Sequence, residues 1–315
     1  MTGSLRIGTR ASRLARWQTD RIAALLHASG VTTQAVEIRT TGDLVGDVPL
    51  PRIGDRALFT RQLDEALLDE RIDLAVHSLK DLPTRLPDGV VLAAIGERAD
   101  PRDALVARDS AALAALPTGA VVATSSLRRR AQLLRARPDL SVPDLRGNVE
   151  TRLGKLDQNA DWSAIVLASA GLDRLGLGQR ISQRLPIELM LPAPGQGALA
   201  VTTRRDDTHT SQLLRTLVQR PDVAAAVTAE RSFLGALEGG CHAPIAAFAS
   251  TEGGTLRLHG RVLSLDGRDC LDEIEEGSIA GDGPARAGLQ LAERLIRQGA
   301  EQLLGDARTQ PGGIA

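Results

Sequence analysis

Two side chains in this sequence combine a reactive group with a local setting that favours chemistry. Cys241 follows Gly239 and Gly240, and glycines leave the approach to a thiol sterically open. Asp81 stands beside Lys80 after a predicted strand, where a carboxylate can stabilise positive charge or move a proton. We therefore treat Cys241 as a candidate nucleophile and Asp81 as a candidate acid–base group. From local sequence alone, a buried structural thiol and a helix cap or ion pair are the alternatives.

Cationic and hydroxyl side chains follow nearly every strand predicted in the first half of the chain. They stand at Arg10 and in the segments 77–81, 124–130, 146–148 and 169–174. Because ligands of open α/β sheets bind beyond the carboxyl ends of strands, we expect these residues to face a ligand. Guanidinium groups and helix starts both bind carboxylate or phosphate. The expected ligand is a small molecule with several negative charges, and a solvated surface position is the alternative for any single arginine.

Several other residues and motifs do not indicate a functional site. We interpret His77 as a core residue and Cys270 as incidental. The segment GQGALA at 195–200 fits a loose dinucleotide-binding pattern, but prolines precede it where a strand is required. The sequence contains no phosphate-loop motif and no group of His, Cys or carboxylate residues with metal-ligand spacing, so we expect no metal.

The composition excludes several classes of protein. The 315 residues are 43% hydrophobic and 24% charged, which is typical of a globular chain. A net charge of −1 provides no overall field that attracts nucleic acid or a membrane surface. Two cysteines cannot form a disulfide scaffold, and we find neither a signal peptide nor a membrane-spanning run. We therefore expect a cytoplasmic protein with no nucleic-acid or membrane partner.

Alternating apolar runs and amphipathic stretches predict an α/β fold that positions the candidate residues. Helices between successive strands indicate parallel pairing with crossovers. Ser12 and Asn148 are predicted helix caps, and a final α+β domain carries a hairpin signal at 266–267. Strands are predicted at 5–8, 36–39, 72–76, 120–123, 164–168 and 198–202, helices at 59–70, 126–136 and 223–237, and a hinge at 191–195.

Seven separate segments carry a resemblance to a known family. They are RIGTRAS at 6–12, HSLKDLP at 77–83, ERADPRDAL at 97–105, TSSLRRR at 124–130, LRGNVETRL at 145–153, LPAPGQGA at 191–198 and LEGGCHAPI at 237–245. In this order they resemble porphobilinogen deaminase, also called hydroxymethylbilane synthase, over nearly the full chain. The resemblance implies an α/β fold of two periplasmic-binding-protein-like lobes with a chain crossover, plus a C-terminal α+β domain.

The same resemblance implies three domains. Domain 1 is a discontinuous lobe of residues 1–97 and 197–217, and domain 2 is the lobe 98–196. Domain 3 covers 218–315 and carries Cys241. The family also suggests a monomer.

The activity implied by the resemblance belongs to tetrapyrrole (porphyrin and heme) biosynthesis. Members of the family join four porphobilinogen molecules, each of which loses ammonia, and release the linear product hydroxymethylbilane by hydrolysis. The chain grows on a dipyrromethane cofactor bound through a thioether, here to Cys241. Each pyrrole bears an acetate and a propionate, which agrees with the many arginines at predicted strand ends.

The resemblance assigns roles to individual residues. Asp81 is implied to be catalytic, stabilising positive charge on the pyrrole nitrogens and assisting proton transfer. The residues implied to bind the cofactor are Ser78, Lys80, Thr124, Ser126, Arg128, Arg129 and Arg152. Those implied to bind the incoming substrate are Arg10, Gln18, Arg146 and Arg174.

Two departures from the family pattern concern these roles. In the segment 47–59, a loop implied to cover the active site, Arg56 replaces a common lysine, and Asp55 and Ala57 replace small glycines. A stiffer loop is one consequence. Glu150 stands where many members have glycine, and there it either weakens anion binding near Arg152 or points outward.

A second hypothesis from a different class is a small-molecule binding module that shares the two-lobed fold. Such a module binds a carboxylate ligand reversibly, without turnover, and does not need Cys241. The lack of an export signal argues against a transport receptor, and no helix-turn-helix segment supports a regulator.

Overall fold

The computed structural model describes residues 4–39, 60–237 and 243–309. The chain divides into two compact units. Unit 1 comprises Met1–Ala99 and Gly197–Ala224, and unit 2 comprises Asp100–Gln196 and Ala225–Ala315. The chain therefore passes from unit 1 to unit 2 and back, and then enters unit 2 a second time.

Within the described residues the chain forms strands and α-helices in three groups. The strands are β1 (Leu5–Thr9), β2 (Thr33–Glu37), β3 (Leu74–Ser78), β4 (Val90–Arg98), β5 (Asp103–Ala107), β6 (Val122–Ala123), β7 (Ala164–Ala168), β8 (Gln183–Arg184), β9 (Ala198–Arg204), β10 (Ile245–Glu252), β11 (Thr255–Leu263) and β12 (Cys270–Ser278). The helices are α1 (Arg13–His27), α2 (Arg61–Leu68), α3 (Leu127–Ala136), α4 (Val149–Gln158), α5 (Ser169–Arg174), α6 (Thr208–Leu217), α7 (Pro221–Ala236), α8 (Gly283–Arg297) and α9 (Ala300–Thr309).

Unit 1 is built around a five-stranded sheet with the strand order β2-β1-β3-β9-β4. Strands β2, β1 and β3 are parallel, and β9 is antiparallel to both of its neighbours. Side chains of β3 alternate between the two faces, so Leu74 and Val76 pack with Ile22 of α1. Ala75 points to the other face and packs with Leu63 of α2. Helices therefore cover both faces and leave the carboxyl ends of β1 and β3 at one edge.

The first sheet of unit 2 has the order β6-β7-β5-β8. Strands β6 and β7 are parallel, whereas β5 is antiparallel to β7 and to β8. Leu105 of β5 packs with Leu133 of α3, and its neighbour Val106 packs on the opposite face with Leu153 of α4. This sheet therefore also lies between two helical layers.

The second sheet of unit 2 is the antiparallel meander β10-β11-β12. Phe233 of α7 and Leu291 of α8 are fully buried in the core that covers one face of this sheet. Helices α7 and α8 approach closely at Gly288, where a Cβ atom would lie 2.4 Å from the backbone oxygen of Ala229. Glycine at this position therefore permits the helix–helix contact.

The structure confirms the α/β class with a C-terminal α+β part. The predicted parallel pairing is wrong for some strands of the sheet of unit 1 and of the first sheet of unit 2. Strands β4 and β5 lie in segments where no strand was predicted. Strand β4 ends just before the chain leaves unit 1 and β9 begins where it returns, so these neighbours run in opposite directions. Strand β3 begins two residues later than predicted, which places His77 inside the strand. The boundaries of the three domains stay a prediction.

Candidate active site

The candidate residues of unit 1 meet at the carboxyl ends of two parallel strands. Arg10 follows β1 directly, and Ser78 is the last residue of β3. These strands are neighbours, with Gly8 paired to Ala75, so both ends lie at the same edge of the sheet. Gln18 of α1 reaches this edge, and its Nε2 donates to Oγ of Ser78 at 2.6 Å.

Asp81 and Lys80 lie in a single 3₁₀ turn that immediately follows β3. Two leucines anchor this turn in the core, because Leu79 is 1% and Leu82 is 3% exposed. The two charged side chains between them are partly exposed. The turn therefore holds the predicted catalytic carboxylate beside a cation at the edge reached by Arg10.

His77 of β3 lies in the interior and contacts the hydroxyl of Thr202, with 3.1 Å between Nε2 and Oγ1. Burial and, to a smaller extent, the nearby charge of Arg10 lower the pKa of His77 to about 4. The imidazole is therefore neutral at physiological pH. This environment agrees with its interpretation as a core residue.

Hydrogen bonds join two of the predicted binding segments in unit 2. Thr124 follows β6, and its Oγ1 accepts from the backbone N–H of Ser126, which caps α3. Ser125 Oγ donates to the backbone oxygen of Leu145 at 3.0 Å and accepts from its N–H at 2.9 Å. These two bonds fix the residue immediately before Arg146. The segment containing Arg146 is thereby held against the turn that begins α3.

Arg128 and Arg129 are buried, in contrast to the ligand-facing position expected of strand-end arginines. Both pair with Asp103, at 2.7 Å from Arg128 Nη1 to Oδ2 and 2.7 Å from Arg129 Nη2 to Oδ1. Arg128 also donates to the backbone oxygen of Leu191, and Arg129 to that of Val166. The surface alternative is therefore wrong for these two arginines. Their contact with a ligand stays a prediction.

Asp103 is the principal residue of this region that the sequence analysis did not single out. Burial would raise its pKa, but the charges and hydrogen bonds of Arg128 and Arg129 outweigh burial and hold the pKa well below its usual value. Its carboxylate is therefore ionised at neutral pH. In the sequence, only the position of Asp103 in the segment ERADPRDAL indicated that it is important. Nothing near it in the sequence shows which cations it contacts.

The three other arginines of unit 2 that are predicted to bind a ligand are half-buried. Arg146 lies in the loop before α4, Arg152 in the first part of α4, and Arg174 at the end of α5. Glu150 lies in the first turn of α4 and is also half-buried. A carboxylate in the first turn of a helix interacts favourably with the positive end of the helix dipole.

Strand pairing brings Asp103 and the segments that follow β6 and β7 to one edge of the first sheet of unit 2. Strands β6 and β7 are parallel, so Thr124 and Ser169 follow them at the same end. Asp103 is paired with Ala168, the last residue of β7, and so lies at this end too. Asp103, Arg128 and Arg129, which together form a buried ion triad, therefore belong to one local region with the cap of α3 and the segment of Arg146.

Three of the sequence-based predictions concern residues outside the described ranges: Cys241, the segment 47–59 and the departures at Asp55, Arg56 and Ala57. Leu237 is the last described residue before Cys241, and Ile245 lies just after it in the chain. Both belong to the same apolar core. Burial raises the pKa of the Cys270 thiol, so this cysteine is a weak nucleophile.

Among residues 4–39, 60–237 and 243–309, no three His, Cys, Asp or Glu side chains are grouped closely enough to hold a metal ion. Nor does any helix in those ranges have both the length and the apolar character needed to cross a membrane.

Comparison with known proteins identifies relatives over the whole chain. A family model described as "porphobilinogen deaminase, dipyromethane cofactor binding domain" matches residues 5–212, and one described as "porphobilinogen deaminase, C-terminal domain" matches residues 224–297. The porphobilinogen deaminase of Moorella thermoacetica is 49% identical over 310 residues, which cover 98% of each chain. That of Rubrobacter xylanophilus is 49% identical over 308 residues, covering 98% of this chain and 99% of the relative.

Solved structures with a similar backbone include the methionine-binding protein MetQ. It aligns with 70% of this chain and 92% of its own at a TM-score of 0.41 and 15% identity. The two family models and the relatives that match over nearly the full length agree with each other. The chain therefore belongs to the porphobilinogen deaminase family.

Proposed function

We propose that this chain is a hydroxymethylbilane synthase, a transferase that joins four porphobilinogen molecules with loss of ammonia and then releases the linear tetrapyrrole by hydrolysis. The observation that carries the proposal is the buried triad of unit 2. Arg128 and Arg129 share the single carboxylate of Asp103, so the triad has a net charge of +1. A desolvated site with an excess of one positive charge favours a small anion such as a pyrrole carboxylate.

The residues of this region fit a dipyrromethane, whose two pyrroles bear acetate and propionate groups. In unit 2 we assign Thr124, Ser126, Arg128, Arg129 and Arg152 to its carboxylates, and in unit 1 Ser78 and Lys80. When bound through a thioether to Cys241, this cofactor supplies the free pyrrole carbon from which the product chain grows. Hydroxyl and guanidinium donors at the start of α3 are suited to carboxylate oxygens.

We assign the incoming porphobilinogen to Arg10 and Gln18 of unit 1 and to Arg146 and Arg174 of unit 2. Asp81 is proposed to accept a hydrogen bond from the pyrrole nitrogen and to stabilise the positive charge that develops when ammonia leaves. The anchored 3₁₀ turn supports this role, because it fixes the carboxylate without burying it.

The proposed partner is the small-molecule substrate alone. We further propose a monomer that works in the cytoplasm, as the family resemblance suggests. Sedimentation of the purified protein at micromolar concentration tests the monomer, and a dimer mass would contradict it.

The function is tested by intact-mass spectrometry of the purified protein. We expect a mass that exceeds the sequence mass by one dipyrromethane, and we expect Cys241→Ala to lose both the added mass and the activity. Cys270→Ala is the matched control, because this half-buried thiol has a raised pKa and is expected to keep both. Fully active protein with an unmodified mass would overturn the proposal.

A further inference from the structure

Two buried guanidinium groups of unit 2 depend on one acid. Arg128 and Arg129 are 4% and 5% exposed, and Asp103 is fully buried. Among the described residues, Asp103 is the only acid whose charge affects the pKa of Arg128, and burial together with the charge of Arg129 lowers that pKa despite the charge and hydrogen bond of Asp103. One carboxylate therefore compensates the two cations incompletely.

The carboxylate of Asp103 is itself fixed from several directions. Its Oδ1 accepts from Nε and Nη2 of Arg129, at 3.0 and 2.7 Å, and from Nε2 of Gln196 at 2.9 Å. Its Oδ2 accepts from Arg128 at 2.7 Å. Gln196 is also fully buried, and its Nε2 donates in addition to the backbone oxygen of Pro101. The carboxylate cannot rotate without losing a charged hydrogen bond, so it determines where both guanidinium groups lie.

Asp103 also connects this cluster to the sheet. It is the first residue of β5 and is paired with the last residue of β7, Ala168. Arg128 and Arg129 occupy the first turn of α3, next to the Ser126 cap. The acid therefore holds the start of α3 against the sheet edge at which the proposed carboxylate-binding residues gather.

We propose that Asp103 is a positioning residue for cofactor binding, which fixes Arg128 and Arg129 and cancels one of their two charges so that one remains for a ligand carboxylate. This inference rests on the proposed function, because it takes the dipyrromethane as the anion that completes the charge balance. Asp103 does not contact the cofactor in this account. It acts through the two arginines.

The test substitutes Asp103→Asn and follows cofactor loading. Folded, monodisperse apoprotein, purified from cells that cannot make porphobilinogen, is incubated with porphobilinogen, and the fraction that carries the added mass is measured over time by intact-mass spectrometry. We expect loading to slow roughly tenfold or more, because small displacements of binding groups cost rates of that order. Asp139→Asn is the matched control, since Asp139 forms a 2.7 Å pair with Arg137 beyond the other end of α3. We expect the control to load at the wild-type rate.

A second readout separates positioning from a merely structural role. The midpoint of urea unfolding is compared between loaded protein and its Cys241→Ala counterpart, which cannot load. In the wild type we expect loading to raise the midpoint, because the ligand carboxylate neutralises the triad. For Asp103→Asn protein brought to full loading by long incubation, we expect this increase to be lost, because the two guanidinium groups are no longer held where they reach the ligand carboxylate. If Asp103 were only structural, both forms would be destabilised alike and the increase would persist.

A third variant covers the case in which Asp103→Asn does not fold. Adding Arg128→Met removes the second buried cation and restores a net charge of +1, so folding is expected to recover while loading stays slow. Wild-type loading by the folded single or double variant would overturn the inference while leaving the proposed function intact. Wild-type protein that never gains the dipyrromethane mass would overturn both.

Discussion

The neutral, buried imidazole of His77 makes the stability of unit 1 depend on pH in a defined direction. In the unfolded chain the pKa of histidine is 6.5, and in the folded protein burial lowers the pKa of His77 to about 4. Below pH 6.5 the unfolded state therefore binds a proton that the folded state does not. The stability contributed by neutral His77 is complete above pH 6.5 and is lost as the pH falls towards 4.

These two pKa values set the size of the effect. At pH 5 the loss is about 2 kcal/mol, and it approaches about 3 kcal/mol at pH 4. Other groups also titrate in this range, among them Asp64, whose pKa is raised to about 6 by burial and whose effect has the opposite sign. The prediction is therefore a difference between two proteins. His77→Gln keeps a polar group near Thr202 but has no titration.

Unit 1 can be observed separately because the chain has two tryptophans, Trp17 in α1 and Trp162 in unit 2. In a Trp162→Phe background, urea unfolding followed by fluorescence reports on unit 1. Between about pH 7.5 and pH 5 we expect the parent to lose about 2 kcal/mol more unfolding free energy than the His77→Gln protein. The exposed His209 of α6 provides the control, His209→Gln, which is expected to behave as the parent. Equal losses in the parent and the His77→Gln protein would refute the reasoning.

Three further predictions concern close packing and the arginines. Gly288→Ala places a Cβ 2.4 Å from the backbone of α7 and is expected to lower the free energy of unfolding in urea by about 1–3 kcal/mol. Gly154→Ala has open space around it and is expected to raise the free energy of unfolding by about 1 kcal/mol. Equal effects of the two substitutions would contradict the packing. Arg146→Ala and Arg152→Ala are each expected to impair elongation with little loss of stability, and unchanged elongation kinetics in both would contradict their placement. Ser125→Ala removes both hydrogen bonds to the residue before Arg146 and is expected to raise KM for porphobilinogen more than it lowers kcat; an unchanged KM would contradict this positioning.

Local signals predicted much of the helical structure and one strand of the first sheet of unit 2. Ser12 caps α1 and Asn148 caps α4, as their position before amphipathic stretches predicts. The segment 164–168 was likewise predicted with its observed bounds. These features depend on side chains within a few residues of each other, and sequence alone contains that information.

The features that sequence reasoning missed depend on distant partners. Arg128 resembles any arginine at the start of a helix, and only its contact with Asp103 of β5 explains why it is buried. Strand β4 has no clear alternation because both of its faces are covered in part, so its apolar run is ambiguous. Ser125 also shows its role only through Leu145. In each case the partner lies far along the chain, where local patterns carry no signal.

The most direct test of the whole account is a mass spectrum of the purified protein taken before and after brief exposure to porphobilinogen. The starting mass should already include one dipyrromethane, and exposure should add a ladder of evenly spaced adducts that ends at four pyrrole units. Peptide mapping should place every adduct on the fragment that contains Cys241. A catalytically active protein that shows a bare thiol at Cys241 and no ladder would contradict the account.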